Sequence, residues 1–554
     1  MKKLSLMDKA FLMVESRETP MHVGGFNLFT LPEGANEQEF LHDLADTMRI
    51  AEAYQSPFAD KLKEGRLGTL GSVYWEPDNA LDLDYHIRHS ALPKPGRFRE
   101  LFALVSRLHG TLLDRKRPLW EMHLIEGLEN NQFAVYSKFH HAAIDGVKAM
   151  HLMQGMYSAD PDERIHESPI SKAAKERYKA SQDIPPPTKS ELLNVGDMLK
   201  ATFDSGNHIY GAMQQFAGAW TGSRESLMVP WKGVPPSTFN TRVDGARRFV
   251  AQSWPFERIR NVGKALDATF NDAVLAMCAG AMRLWLQNHG ELPNESLKAM
   301  VPVSLRRPGD MESSNAVGTI SADLATTTKD PLGRFHKIKS SMEAGKAMLQ
   351  DLSPREAMLF IQMTQLPAIA LLPLGLADKF PPFNTVISNV PGPRQPMYWN
   401  GARLEGIYPA SVVTEGIAMN ITLVTYNDQV DFGVIGCRRT LPQLQRMIDY
   451  LEDSLVELEQ ALKSAASAAL PVEPVAITKA ATGKAKAKSK TSAKSKAKAK
   501  AKTKTAAKPA AKAKRKAKSK VSAKSRPKAK TKVKRRAGSR QQAAARPKAR
   551  PKGR

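Results

Sequence analysis

The densest group of reactive side chains in the sequence is Lys138-Phe139-His140-His141-Ala142-Ala143-Ile144-Asp145-Gly146. Gln132 to His140 alternates in a strand pattern, so the paired histidines close a strand and Asp145-Gly146 opens a helix. Adjacent residues on an extended chain point to opposite sides. One imidazole can therefore face a cleft while the other packs or hydrogen-bonds. Imidazole is the side chain best matched to general-base work near neutral pH. By itself, such a pair is more often structural than catalytic. Asp145 could brace the turn or pair with an arginine, Arg306 being one choice. Ser304 has no Gly-x-Ser-x-Gly elbow around it, which argues against a serine nucleophile. Cys278 falls inside a helical pattern and reads as core. The remaining histidines lack metal-ligand spacing with carboxylates or thiolates, so no metal is expected.

These residues need elements to hold them. In Gln132 to His140, Phe133, Val135, Ser137 and Phe139 share one face, and Ala134, Tyr136 and Lys138 the other. Glu37 to Ala53 has helical spacing through Phe40, Leu41, Leu44 and Met48. From Gly146 the helical pattern returns with Val147, Met150 and Met153. Ile184-Pro185-Pro186-Pro187-Thr188 is a break. Asn271 to Gln287 predicts an amphipathic helix, Ala299 to Leu305 a buried strand, and Leu441 to Lys463 a closing helix. Asn420 to Gly436 predicts a hairpin turning at Tyr426-Asn427-Asp428-Gln429. The expected organisation is an α/β domain over residues 1–185, a helical crossover over 186–235, a second α/β domain over 236–465, and a tail over 471–554.

The formal charge of the 554 residues is +27, from 82 Lys+Arg and 55 Asp+Glu. From Lys479 to Arg554 there are 32 bases and no acid, which leaves 50 bases against 55 acids before it, a net of −5. The charge therefore belongs to an appended arm on a mildly acidic body. The tail has no aromatic residue, and after Ile477 its branched aliphatics are Val521 and Val533, so it is expected to be disordered. Its Lys-Ala repeats resemble linker-histone-like bacterial tails. It could hold DNA non-specifically through phosphate contacts, hold anionic lipid headgroups at about 1 kcal/mol per base, or act as a solubilising arm without a partner. Without stacking platforms, sequence-specific single-strand binding is not expected. Two cysteines exclude a disulfide framework and fit a reducing compartment. Asp8 and Glu15 break the apolar run near the N-terminus, so no secretory signal is expected. The longest apolar run, Leu366 to Ala377, contains Pro367 and Pro373 and falls short of the roughly 20 residues of a spanning helix. Met358 to Ala377 is a candidate interfacial or tunnel-lining segment, or a buried helix and loop.

His140-His141-x-x-x-Asp145-Gly146 resembles the HHxxxDG signature of the CoA-dependent acyltransferase superfamily, which includes chloramphenicol acetyltransferase and peptide-synthetase condensation domains. Five further segments occur in order: Met21-His22-Val23-Gly24-Gly25, Pro118-Leu119-Trp120-Glu121, Phe270-Asn271-Asp272-Ala273-Val274-Leu275-Ala276, Val301-Pro302-Val303-Ser304-Leu305-Arg306 and Ser388-Asn389-Val390-Pro391-Gly392-Pro393. Together they resemble the bacterial wax ester synthase/acyl-CoA:diacylglycerol acyltransferase family over about residues 4–460. Asp431-Phe432-Gly433 resembles part of the superfamily's second motif, but Val434-Ile435 replaces its Trp-Gly continuation, and no role is carried over for it.

The resemblance implies an α/β fold of two chloramphenicol-acetyltransferase-like domains with mixed sheets and an interface tunnel, entered by acyl-CoA from one side and the acceptor from the other. It implies His141 as the general base that deprotonates the hydroxyl of diacylglycerol or a fatty alcohol, with direct attack on a long-chain acyl-CoA. His140 assists or positions the loop, and Asp145 supports it. Asn271 either caps the following helix or donates to the oxyanion. Pro118-Leu119-Trp120 packs near the site. Acyl-CoA is a substrate, so no cofactor is expected. The implied location is cytoplasmic, peripheral to the inner membrane face or lipid bodies. Two other readings stand beside this one: a catalytically silent lipid-body or nucleoid tether working through the tail, and acyl transfer to a different hydroxyl acceptor. If the tail is the polyanion-binding arm, a chain ending at Leu470 will lose the DNA or anionic-liposome binding of the full chain. Unchanged binding in a cosedimentation assay would remove the tail from that role.

Overall fold

The computed structural model describes residues 1–50, 54–66, 68–168, 170–181, 206–222, 227–304, 317–350 and 378–469, with a few positions between 352 and 376. The Ile184–Thr188 break, Arg306, the tail over 471–554 and most of the Met358–Ala377 segment lie outside these residues. The strands are β1 (Lys2–Lys3), β2 (His22–Thr30), β3 (Asp60–Gly65), β4 (Gly68–Pro77), β5 (Ile87–Ala91), β6 (Trp120–Glu126), β7 (Gln132–His140), β8 (Arg247–Pro255), β9 (Lys298–Ser304), β10 (Val317–Asp323), β11 (Thr385–Pro391), β12 (Tyr398–Trp399), β13 (Ala402–Ala410), β14 (Met419–Tyr426) and β15 (Gln429–Cys437). They form two six-stranded sheets, ordered β12-β13-β2-β7-β6-β5 and β10-β9-β11-β14-β15-β8, and a small sheet ordered β1-β4-β3. Both large sheets are mixed: β5–β6, β9–β11 and β11–β14 pair in parallel, and the remaining neighbours are antiparallel. The fold is thus the expected mixed α/β class.

The strand that carries the histidines, β7, lies inside the first sheet and is covered on both faces. Phe133, Val135 and Phe139 enter a core with Leu41 and Leu44 of helix Glu37–Met48 and Met150 and Met153 of helix Gly146–Gln154. Ala134 and Tyr136 enter a second core with Leu101 and Val105 of helix Phe98–His109. The alternation legible in the sequence therefore sorts β7 between two cores rather than between core and solvent.

Two helix boundaries differ from expectation. The helix predicted over Glu37 to Ala53 stops at Met48. The Tyr54 hydroxyl donates to the Met48 carbonyl at 2.6 Å, taking the acceptor that a further helical turn would need. The closing helix runs from Arg446 to Ala469, beginning later than Leu441. Before it the backbone makes tight turns, with Arg446 donating to Gln443, Met447 to Leu444 and Ile448 to Gln445. The hairpin is as expected: Tyr426 pairs with Gln429, and Asn427 takes the left-handed conformation (φ 49°) that an asparagine tolerates at a tight turn.

Strands β12 and β13 lie late in the chain yet complete the first sheet, where β13 pairs with β2. Beyond the short β12 partner, the outer edge of β13 has backbone groups to satisfy. One face of β15 supplies them at alternate residues. The Gln429 side-chain amide donates to Glu405 O at 2.6 Å, and Asp431 Oδ2 accepts from Ile407 N–H at 2.7 Å. At Gly433 the backbones touch: a Cβ there would stand 1.8 Å from Pro409 O. Asp431 Oδ1 also accepts from Ser253 Oγ at 2.6 Å. The Asp-Phe-Gly segment thus clamps the crossing strand to the second sheet.

Burial pushes the Asp431 carboxyl up to about 7, against the hydrogen bonds that lower it. Its folded pKa lies above the ordinary 3.8, so this group's contribution to stability is full at acid pH and declines as pH rises through 4 to 7. At most roughly 4 kcal/mol rides on that window. Asp431→Asn should flatten the decline, measured by urea unfolding at pH 5 and pH 8. Gly433→Val should prevent soluble expression; a stable Gly433→Val protein would contradict the close approach.

Candidate active site

The end of β7 is built so that two consecutive backbone amides turn to opposite neighbours. His140 N–H donates to Leu119 O at 3.0 Å, on the β6 side, and His141 N–H donates to Met21 O at 2.8 Å, on the β2 side. The chain then folds over His140, whose carbonyl accepts from Ala143 N at 2.9 Å and Ile144 N at 3.3 Å. Ala142 N–H donates to His140 Nδ1 at 3.0 Å. Asp145 caps helix Gly146–Gln154, accepting from Lys148 N at 2.9 Å, and is buried.

The two histidines differ in environment. His140 is fully buried, and its Nε2 lies 3.2 Å from Glu15 Oε1. Because Nδ1 accepts a hydrogen bond, Nε2 carries the proton and faces the carboxylate. Burial works to raise the Glu15 pKa, but His140 and Arg115 outweigh it and hold the group below the ordinary value. His141 keeps partial solvent access. Its ring stacks on Phe11, with centroids 4.1 Å apart and planes at 15°. Desolvation lowers the His141 pKa; the Asp145 charge and its own backbone carbonyl oppose that without reversing it. His141 is therefore neutral at pH 7 and able to accept a proton.

Below this turn lies a buried charge system. Lys138 is fully buried, its Nζ 3.2 Å from Glu121 Oε2 and donating to Leu108 O at 3.1 Å and Thr111 O at 2.9 Å. Glu121 sits opposite Lys138 in the β6–β7 register. Burial would raise its pKa, but His123, Lys138 and Arg88 bring it down to about 2. Nearby, His22 donates to His109 O at 2.7 Å, and both rings are held neutral chiefly by desolvation, His109 being pushed down to about 3. Trp120 is fully buried, stacks on His86 at 4.4 Å and donates to Phe58 O at 2.8 Å. With Leu119 O on His140 N–H, the Pro118-Leu119-Trp120-Glu121 segment backs the histidine turn through packing, backbone and charge.

Asn271 comes from the second half of the chain. It is not the helix cap: Thr269 takes that place, accepting from Asp272 N at 3.3 Å while Asp272 Oδ2 accepts from Thr269 N at 2.9 Å. Two residues into the helix, the Asn271 side chain is released from capping, and its Oδ1 accepts from Asn389 Nδ2 at 2.7 Å. This leaves the Asn271 amide N–H groups for another acceptor. Both asparagines line a pocket of about 260 Å³ with Phe256, Phe270, Arg394 and Thr425. His141 is not among its lining residues, although helix Gly146–Gln154 packs against β11, which carries Asn389. Cys278 is fully buried in the core.

Sequence reasoning missed three members of this region. Asn389 lay inside a quoted motif without a role. Glu15 entered only as a charge that interrupts an apolar run, and Phe11 had no signal beyond hydrophobicity. Their significance depends on contacts with residues far along the chain.

The family model described as the wax ester synthase/diacylglycerol acyltransferase catalytic domain matches residues 4–274, and that of the same family's C-terminal domain matches 313–459. A probable diacylglycerol O-acyltransferase of Mycobacterium tuberculosis is 43% identical over 460 residues, covering 82% of this chain and 98% of that protein. The O-acyltransferase WSD of Acinetobacter baylyi is 39% identical over 456 residues, covering 82% and 96%. The solved wax ester synthase/diacylglycerol acyltransferase from Marinobacter aquaeolei VT8 is 41% identical with a TM-score of 0.65, covering 84% of this chain and all of that one. The first condensation domain of the calcium-dependent antibiotic synthetase, 14% identical with a TM-score of 0.52 over 83% of this chain and 96% of its own, shares the fold alone.

Removing Glu121 should leave Lys138 buried without its carboxylate. Glu121→Leu should then cost on the order of 3 kcal/mol of unfolding free energy. Adding Lys138→Met should recover part of that loss. Additive losses in the double-mutant cycle would show that the two charges do not support one another.

Proposed function

We infer that this chain, which belongs to the wax ester synthase/diacylglycerol acyltransferase family, transfers a long-chain acyl group from acyl-CoA to the hydroxyl of diacylglycerol or of a long-chain alcohol, with His141 as the general base. The observation that supports this assignment is the state of His141: partly exposed at a strand end, pressed flat on Phe11, and low enough in proton affinity to be neutral at pH 7. A neutral alcohol is a poor nucleophile, so removing its proton as it attacks lowers the barrier. The hydroxyl proton passes to His141, the oxygen bonds to the thioester carbonyl carbon, and the carbonyl becomes an oxyanion. When the oxyanion collapses, the carbon–sulfur bond breaks and the CoA thiolate takes the proton back from the imidazolium. No acyl-enzyme forms, and acyl-CoA serves as substrate without a further cofactor.

Asn271 suits the oxyanion, because Asn389 engages its side-chain oxygen and leaves its N–H groups to donate. Asp145 caps the helix and holds the turn, while its charge moderates His141. In this reading the two substrates reach His141 from opposite sides of an interface tunnel, as the family resemblance implies. A water-insoluble acceptor has to be collected from a lipid phase, so the enzyme works at the inner membrane face or at lipid bodies, held peripherally. No helix among the described residues is long and apolar enough to cross a membrane. Trp220 and Phe380, 44% and 59% exposed, are aromatic side chains suited to such a surface. The basic tail adds attraction to anionic lipid headgroups.

Radiolabelled acyl-CoA offered with diacylglycerol and with hexadecanol tests the reading. His141→Ala should lower transfer by on the order of 10² to 10⁴-fold. The acid limb of wild-type kcat/KM should fall below the ordinary histidine value of 6.5, because the His141 pKa is lowered. Wild-type rates from His141→Ala would remove the base assignment. No transfer by the wild type to either acceptor would favour the silent tether, and transfer confined to other members of an acceptor panel would place the substrate elsewhere.

A further inference from the structure

We propose that Glu15 is the positioning residue for the histidine pair, its carboxylate fixing the ring of His140 and, through Met21, the backbone of His141. The inference rests on His141 as the base. Glu15 closes helix Leu6–Val14 as its C-terminal cap, and its side chain is 3% exposed. One oxygen, Oε1, accepts from Met21 N–H at 3.2 Å and lies 3.2 Å from His140 Nε2. Both arms end at consecutive residues of the catalytic turn. Along the first, Met21 returns its carbonyl to His141 N–H at 2.8 Å. Along the second, His140 presents its unprotonated Nδ1 to Ala142 N–H at 3.0 Å. A carboxylate at Glu15 therefore selects the His140 tautomer, and that tautomer is the one that can accept from the backbone just after His141.

The other oxygen is anchored. Arg115 Nε donates to Glu15 Oε2 at 2.9 Å, and Arg115 Nη2 donates to Leu12 O at 2.6 Å. Arg115 thereby holds both the carboxylate and the last turn of the helix. The same helix carries Phe11 against the His141 ring, so it positions the base from its backbone and from its face. A carboxylate whose role was only to neutralise Arg115 would need neither arm.

Steady-state kinetics with full-length Glu15→Gln and Glu15→Ala, with acyl-CoA and acceptor varied separately, test this. Misplacing a catalytic group by about 1 Å costs on the order of 10²-fold, so kcat should fall between about tenfold and 100-fold in Glu15→Ala. KM for both substrates should stay within twofold, and Glu15→Gln, which still offers an oxygen to Met21, should lose less. Unchanged kcat in both variants, or a loss matched by KM or by the folded fraction from circular dichroism, overturns the proposal. Wild-type protein labelled with ¹⁵N-histidine gives a second reading that does not depend on a variant's folding. His140 should resonate as the Nε2–H form with an unprotonated Nδ1; the Nδ1–H form overturns the proposal. If Glu15→Ala is fully active and His141→Ala is dead, the Glu15 assignment fails alone. If His141→Ala is active, the base assignment fails first.

Discussion

Strand β13 leaves the second half of the chain and joins the first sheet, and beyond its short pairing with β12 its outer edge is met by side chains of β15, which ties the two sheets together. Gln429 and Asp431 meet the backbone of Glu405 and Ile407, and Gly433 lets Pro409 come within contact. Residues two apart on a strand share a face, so one face of β15 can serve three successive positions along β13. An unsatisfied buried N–H or C=O costs about as much as a lost hydrogen bond, and because a Cβ at Gly433 would stand 1.8 Å from Pro409 O, any side chain there would push the strands apart. The junction thereby ties the sheet that carries the histidine turn to the sheet whose strand β11 carries Asn389, the partner of Asn271.

Around the histidines, burial and charge are arranged so that each ring has different partners. His22 and His109 are stripped of water without a carboxylate partner, and they remain neutral. His140 has Glu15, and Lys138 has Glu121. A buried ion pair is weak evidence for net stability, because desolvation offsets its attraction. Here its position is more informative than its energy: Glu121 on the neighbouring strand β6 meets Lys138, and Glu15 at the end of the first helix lies beside His140, so carboxylates from two different elements meet the end of β7. His141 alone of the pair keeps solvent access, which is where a substrate hydroxyl has to arrive.

Much of the local structure was legible because it depends on neighbours in sequence. The alternation of Gln132 to His140, the Asn-Asp turn at 427–428 and the helix after Gly146 each follow from spacing of two or 3.6 residues and from the chemistry of turns. Errors arose where a distant group decided. Tyr54 ends the helix that begins at Glu37 by capturing the Met48 carbonyl. Asn271 has a good capping side chain, yet Thr269 and Asp272 form the reciprocal cap and release Asn271 toward Asn389. Composition likewise separated a +32 tail from a −5 body without showing what the tail touches.

The sequence by itself determined the reactive groups, their placement at a strand end before a helix, and through six ordered motifs the family and its chemistry. Only the tertiary structure decided which histidine is held and which is available. Glu15 reads locally as a charge that interrupts an apolar run, and its partner Arg115 lies 100 residues away. Nothing in the periodicity of either segment encodes that pairing. It arises when β2, β6 and β7 align and bring the end of the first helix under the turn, where water is excluded and a carboxylate must find donors. The role of Asp431 was hidden for the same reason: its donor, Ile407 N–H, is a backbone group whose exposure on an edge is a property of the assembled sheets.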